Sequence, residues 1–223
     1  MRRSRADGWT VVLLLGVACS ASNPTVKPDE ASAAGHRAEA EREAQAAAKE
    51  VQRFDPKAAQ PSPFGDPLGK DYLYTVPIYN PTEGHLHEAE MHQAHARQHE
   101  AAAQFLERFE EAECRDFPPA SRAACPLLGP VVRLDDIPGG VRASLSKGAR
   151  IDAVIAHMRC HYAYARARGF DDRVGCPLYV KGIEVRKGLD PLTIEIVARD
   201  DATVQMVRAH AREEAVFVKG GQP

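Results

Sequence analysis

Shifting the chain by 53 residues lays "VRLDDIPGGVRASLSKGARIDAVIAHMR" (132–159) on "VRKGLDPLTIEIVARDDATVQMVRAHAR" (185–212) without a gap. Identical residues coincide at Val132/Val185, Arg133/Arg186, Pro138/Pro191, Ala149/Ala202, Val154/Val207, Ala156/Ala209, His157/His210 and Arg159/Arg212. A repeat constrains the fold strongly, because each copy is one supersecondary unit that cannot bury its apolar face alone. Each copy reads strand, turn, strand, helix: short Val/Ile-rich runs around a Pro or Gly turn, then a helix opened by a polar stretch. Two tandem ββα units, at about 131–168 and 181–216, predict an α+β domain. The simplest arrangement is a four-stranded antiparallel sheet with two helices on one face, related by a pseudo-twofold axis.

In the first repeat helix Ile151, Val154, Ile155, Met158 and Tyr162 share the arc expected to pack on the sheet, and Val204, Val207 and Ala211 do so in the second. A second flank carries His157, Cys160, His161 and Tyr164 in the first copy, with Met206 and His210 in the second.

Upstream lies a longer helix. Asn80 is the expected N-cap and Pro81 the first helical position, and from Thr82 to Glu113 only Gly84 interrupts the pattern. Its stretch "HLHEAEMHQAHARQH" (85–99) holds five of the nine histidines. At about 100° per residue, His85, Glu88, His92, His95 and His99 fall within one arc of roughly 80°. His87 lies elsewhere. The arc continues into Ala102, Leu106 and Phe109, so the histidine stripe runs into the face this helix is expected to bury.

Before this helix, residues 31–53 are good helix formers with almost no apolar stripe, which predicts a solvated helix. Pro56, Pro61, Pro63, Pro67, Pro77 and Pro81 then favour extended backbone. Residues 19–80 therefore read as a flexible stalk, in which Tyr72 and Tyr74 form a strip able to dock on the domain.

The chain begins with Arg2, Arg3 and Arg5 before an apolar run from Trp9 to Ala18, a pattern that reads as an export signal over residues 1–18. The run ends in Leu15-Gly16-Val17-Ala18-Cys19, which resembles the lipobox of bacterial lipoproteins. The match has Gly16 where that family usually has Leu, and a plain secretory signal is the alternative. The resemblance implies lipidation of Cys19 and a membrane partner; Ser20 in place of aspartate implies the outer membrane. Nothing in the remaining sequence resembles a named family.

Five cysteines leave an odd one in an oxidising compartment, and lipid on Cys19 removes it. Cys114, Cys125, Cys160 and Cys176 then allow two disulfides. The shortest pairings are 114–125 and 160–176, which would close "CRDFPPASRAAC" into a turn, although three pairings are open.

The pairs His92/His95, His95/His99 and His157/His161 have the spacings at which helix-borne imidazoles chelate one ion. One helix cannot complete a tetrahedral shell, so His157, His161 and His210 are the expected complement, with Glu88 as an oxygen ligand or a holder of one imidazole. The net charge of −2 and the lack of a basic block argue against nucleic acid. There is no G-x-S-x-G elbow, phosphate loop or H-E-x-x-H motif, and no enzyme is predicted. The leading expectation is an envelope lipoprotein that binds copper or zinc through the striped helix. The alternative is a structural or interaction module that docks on an envelope protein, with the histidines incidental or acting as a pH switch.

Overall fold

The computed structural model describes residues 31–61, 78–127, 129–170 and 176–220. The expected export signal over residues 1–18, Cys19, and Tyr72 and Tyr74 lie outside the described residues. The order is α1 (Ala33–Arg53), a 3-10 turn (Pro56–Ala58), β1 (Gln60–Pro61), β2 (Ile78–Tyr79), α2 (Glu83–Glu113) and α3 (Pro119–Arg122). The repeats follow as β3 (Val131–Ile137), β4 (Gly140–Leu145) and α4 (Ile151–Ala167), then β5 (Glu184–Lys187), β6 (Thr193–Val197) and α5 (Asp201–Gly220).

The two ββα units make one antiparallel sheet of order β3-β4-β6-β5. Its centre is the pairing of β4 with β6, where the two copies meet with Ala143 opposite Ile194 and Val141 opposite Ile196. Strand side chains alternate. Val141, Ala143, Leu145, Ile194 and Ile196 point into one buried core with Ile155, Met158, Val207 and Ala211 of the two helices. Arg142, Glu195 and Arg186 lie on the opposite face, where the Glu195 carboxylate accepts from both guanidiniums. Each helix covers mainly the strands of the other copy: α4 packs on β5 and β6, and α5 chiefly on β3 and β4. The β3–β4 turn needs Gly139 at φ +82, and a Cβ at Gly140 would overlap the Ile196 carbonyl oxygen.

The expected core positions Ile155, Met158, Val204, Val207 and Ala211 are buried, and Ile151 and Val154 are partly buried against the same core. Tyr162 instead turns its ring to Phe170. Asn80 does not cap α2 directly. Its Oδ1 accepts from the Thr82 backbone N–H two residues on, and the helix starts at Glu83.

α1 is a helix as expected, but it is not solvated all round. It runs antiparallel to α2 and packs along it. A narrow seam rather than an apolar stripe makes this contact. Ala33, Ala47, Ala89 and Ala103 are buried, and Ala40 and Ala96 sit at the intervening positions of the same seven-residue spacing. Small side chains at every second turn let two helix backbones approach closely. Between them lie polar layers at the same interval: His36 opposite His99, Glu43 opposite His92 and Glu50 opposite His85. Arg37 adds an outer bridge to Glu100 and Glu107.

The hairpin is fixed to the sheet domain through α2 and α4. Arg166 of α4 lies over the rings of Phe105 and Phe109, Glu110 binds Arg122 and Arg168, and Ala33, Ala103, Leu106 and Ala167 form a small buried cluster. A disulfide between Cys114 and Cys160, with Cα atoms 4.6 Å apart, ties the end of α2 to α4. This differs from the expected 114–125 and 160–176 pairings. Between Cys114 and Cys125 the chain makes the helical turn α3, which leaves Cys114 against α4 and carries Cys125 into the core.

Candidate metal centre

The repeated histidine does the same work in both copies. The Nε2–H of His157 donates to the Ser121 carbonyl at 3.0 Å, and its ring stacks on Phe117. The Nδ1–H of His210 donates to the Cys176 carbonyl at 3.1 Å. Each therefore pins a loop that reaches the core. His161, one turn beyond His157 on α4, pins the same loop as His157 by donating Nδ1–H to the Arg122 carbonyl at 2.8 Å.

That bond settles the tautomer of a neutral His161 ring: the proton is on Nδ1 and the lone pair on Nε2. Nε2 lies 3.6 Å from Cys176 Sγ, and Cys176 Sγ lies 3.4 Å from Cys125 Sγ. All three side chains are buried, His161 completely, and their donor atoms lie within 4.8 Å of one another. Three chain segments build the cluster: α4 supplies His161, the stretch after α3 supplies Cys125, and the chain leading to β5 supplies Cys176. Cys125 and Cys176 belong to the same buried core cluster as Leu127, Leu178 and Val180, and the Tyr179 ring sits 5.0 Å from His161.

The electrostatics divide the two thiols. Cys176 is pushed down to about 5, first by the hydrogen bond from Cys125, with burial opposing and His161 adding to the fall. Cys125 is pushed up, first by that same hydrogen bond and then by burial and the neighbouring charge. In the metal-free cluster His161 lowers Cys176 only as an imidazolium, whose Nε2 proton an incoming metal would displace. Two sulfurs and one imidazole nitrogen thus converge. This is a soft S₂N donor set, and a hydrogen-bonded ring with its far nitrogen aimed inward is the usual orientation of a ligating histidine.

The histidine stripe meets α1 instead of the repeat helices. The Nδ1–H groups of His85 and His92 donate to Glu50 Oε2 at 2.8 Å and Glu43 Oε2 at 2.6 Å, His95 Nδ1 lies 3.8 Å from Glu43 Oε2, and His99 bonds His36 through their Nδ1 atoms at 3.0 Å. A second group of donors, Glu50, His85 and Glu88, also lies within 4.8 Å. The structure therefore brings together His85 and Glu88 of the expected ligands, but separates the stripe from His157, His161 and His210. The partners the sequence reading missed are His36, Glu43 and Glu50, which repeat at seven residues in register with 85, 92 and 99. That spacing was the available signal.

No family model matches the chain, and neither curated proteins nor solved structures give a match. The fold and the donor geometry define the chain as an α+β domain carrying a helical hairpin, with candidate metal-ligand groups in both parts. No described helix is long and apolar enough to cross a membrane.

Proposed function

We propose that the chain is an exported lipoprotein, anchored through Cys19 to the outer membrane, whose sheet domain holds zinc or copper(I) at Cys125, His161 and Cys176. One observation carries this reading: two sulfurs and an oriented imidazole nitrogen, all buried, converge within 4.8 Å. Zinc and copper(I) favour thiolate and imidazole donors, and three protein ligands leave a further position for water or an incoming ligand. Such a centre suits a buffer, a chaperone or a sensor of envelope metal.

The test is to purify the full-length protein in detergent, anaerobically, and measure metal content and thiols of the denatured, unreduced chain. The reading expects at least one metal ion and two thiols beyond any at Cys19, with cobalt(II) giving a thiolate charge-transfer band that Cys125→Ser abolishes. Absence of metal and of the band overturns it.

The 3.4 Å sulfur separation favours one other use. Oxidation by a disulfide of the envelope would join Cys125 to Cys176 and release two thiols from the oxidant, which balances the electrons. The domain would then be a doubly cross-linked structural or interaction module, and the thiol measurement would find neither cysteine reduced.

A further inference from the structure

A metal site in the hairpin would have to join two helices that share little apolar surface, and one layer of the seam has the donors to do so. Glu50 on α1 faces His85 and Glu88 on α2, and the three donors lie within 4.8 Å. His85 Nδ1 is 2.8 Å from Glu50 Oε2 and 3.9 Å from Glu88 Oε2. One oxygen of each carboxyl group lies within 4.8 Å of an oxygen of the other. Two carboxylates that close repel unless a proton or a cation lies between them. Glu50 is 9% exposed, and Arg53 holds its other oxygen, Oε1, at 2.7 Å, which orients the inner one. His85 and Glu88 are one turn apart on α2, so they present their donors to the same side. The set holds one nitrogen and two carboxylate oxygens, harder than the thiol centre, and it spans two elements.

We infer that a divalent transition metal of the zinc class binds Glu50, His85 and Glu88 and clamps α1 onto α2. The ion takes the place of the proton on His85 Nδ1, and water fills its remaining positions. The clamp stands on different residues from the thiol centre and does not depend on it. Its consequence is mechanical: α1 is the described helix nearest the N-terminal end of the chain, and the metal sets whether it stays docked.

The test is hydrogen exchange of the full-length protein in detergent, read on peptides covering 33–53, with and without Zn²⁺. Zinc binding only the closed hairpin slows exchange by the factor 1 + [Zn²⁺]/Kd, up to about a hundredfold at a hundredfold excess over Kd. The slowing is expected in wild type and in Cys125→Ser/Cys176→Ser, and lost in Glu50→Gln. Glu88→Gln, on an exposed side chain, removes the repulsion with Glu50, so it should slow exchange somewhat in the absence of zinc and lessen the further slowing by zinc. Unchanged exchange of 33–53 with zinc overturns the clamp, as does slowing that survives both substitutions. Slowing that disappears only in the double cysteine variant assigns the effect to the thiol centre and also overturns it. A missing cobalt-thiolate band, by contrast, touches only the thiol reading.

Discussion

Glu43 Oε2 and His92 Nδ1 meet at 2.6 Å across the hairpin, in the middle of three polar layers spaced seven residues apart on both helices. The pair is partly open to solvent, so its share of stability is modest. A double-mutant cycle of Glu43→Ala and His92→Ala should give a coupling of about 0.5–1 kcal/mol, within the range of exposed charged pairs. Thermal or denaturant unfolding of the four proteins measures it, and zero coupling would show that this layer adds nothing to the docking of α1.

The thiol centre and the stripe can be separated by substitution. His92→Ala/His95→Ala/His99→Ala should leave the cobalt-thiolate band intact, whereas Cys176→Ser or His161→Gln should abolish or weaken it by at least tenfold in affinity. Optical titration with cobalt(II) decides. Cobalt binding that shows no thiolate band and is lost in the triple variant would return the primary site to the stripe.

The Cys114–Cys160 disulfide closes 46 residues, a loop whose closure entropy in the unfolded chain corresponds to about 4 kcal/mol. Cys114→Ser/Cys160→Ser should lose most of this, read as a lower denaturation midpoint without reductant. Because the bond joins the hairpin to the sheet domain, the loss should be largest for α2 and α4 in exchange experiments.

Glu195 gives the outer sheet face a defined pH response. Its carboxyl is held below the 4.5 usual for glutamate, chiefly by the hydrogen bond from Arg142, with burial opposing and Arg186 adding. A depressed folded-state value means that its stabilisation is complete above about pH 4.5 and is lost as pH falls through the lower folded value. Glu195→Gln should therefore lose about 1–3 kcal/mol at neutral pH and flatten the stability profile below pH 4.5.

Gly140→Ala tests the central strand pairing. The added methyl would overlap the Ile196 carbonyl, backbone that cannot move without breaking the β4–β6 ladder. A loss above about 2 kcal/mol is expected, as for overpacking at a rigid site. A soluble variant with wild-type stability would contradict the register.

Much of the sheet domain could be read from the chain because its signals are local. Val/Ile alternation, the Pro138-Gly139 turn and the helix arcs each fix a neighbouring piece, and the 53-residue repeat joins them. The long helix was visible for the same reason. What could not be read was pairing between distant elements with no apolar signature. α1 binds through alanine, glutamate and histidine, which in isolation describe a solvated helix, and only comparison with the spacing on α2 gives it a partner. Short sequence separation points to the pairing of Cys114 with Cys125, but the turn at Pro119–Arg122 sends these two cysteines in different directions. Cys125, His161 and Cys176 come from three segments, and no linear motif records their meeting.

The covering of each copy's strands by the other copy's helix bears on how such a chain could arise. A lone ββα unit would leave its own sheet half bare and its own helix without a floor, and the missing surface is the one that an identical unit offers. Expressed separately, the segment holding β3, β4 and α4 and that holding β5, β6 and α5 should each recruit a mate, themselves or one another. The tandem chain is thus built like a two-subunit assembly whose subunits share one backbone, and the segments that precede β3 and β5 each bring one cysteine to a site that neither repeat holds alone.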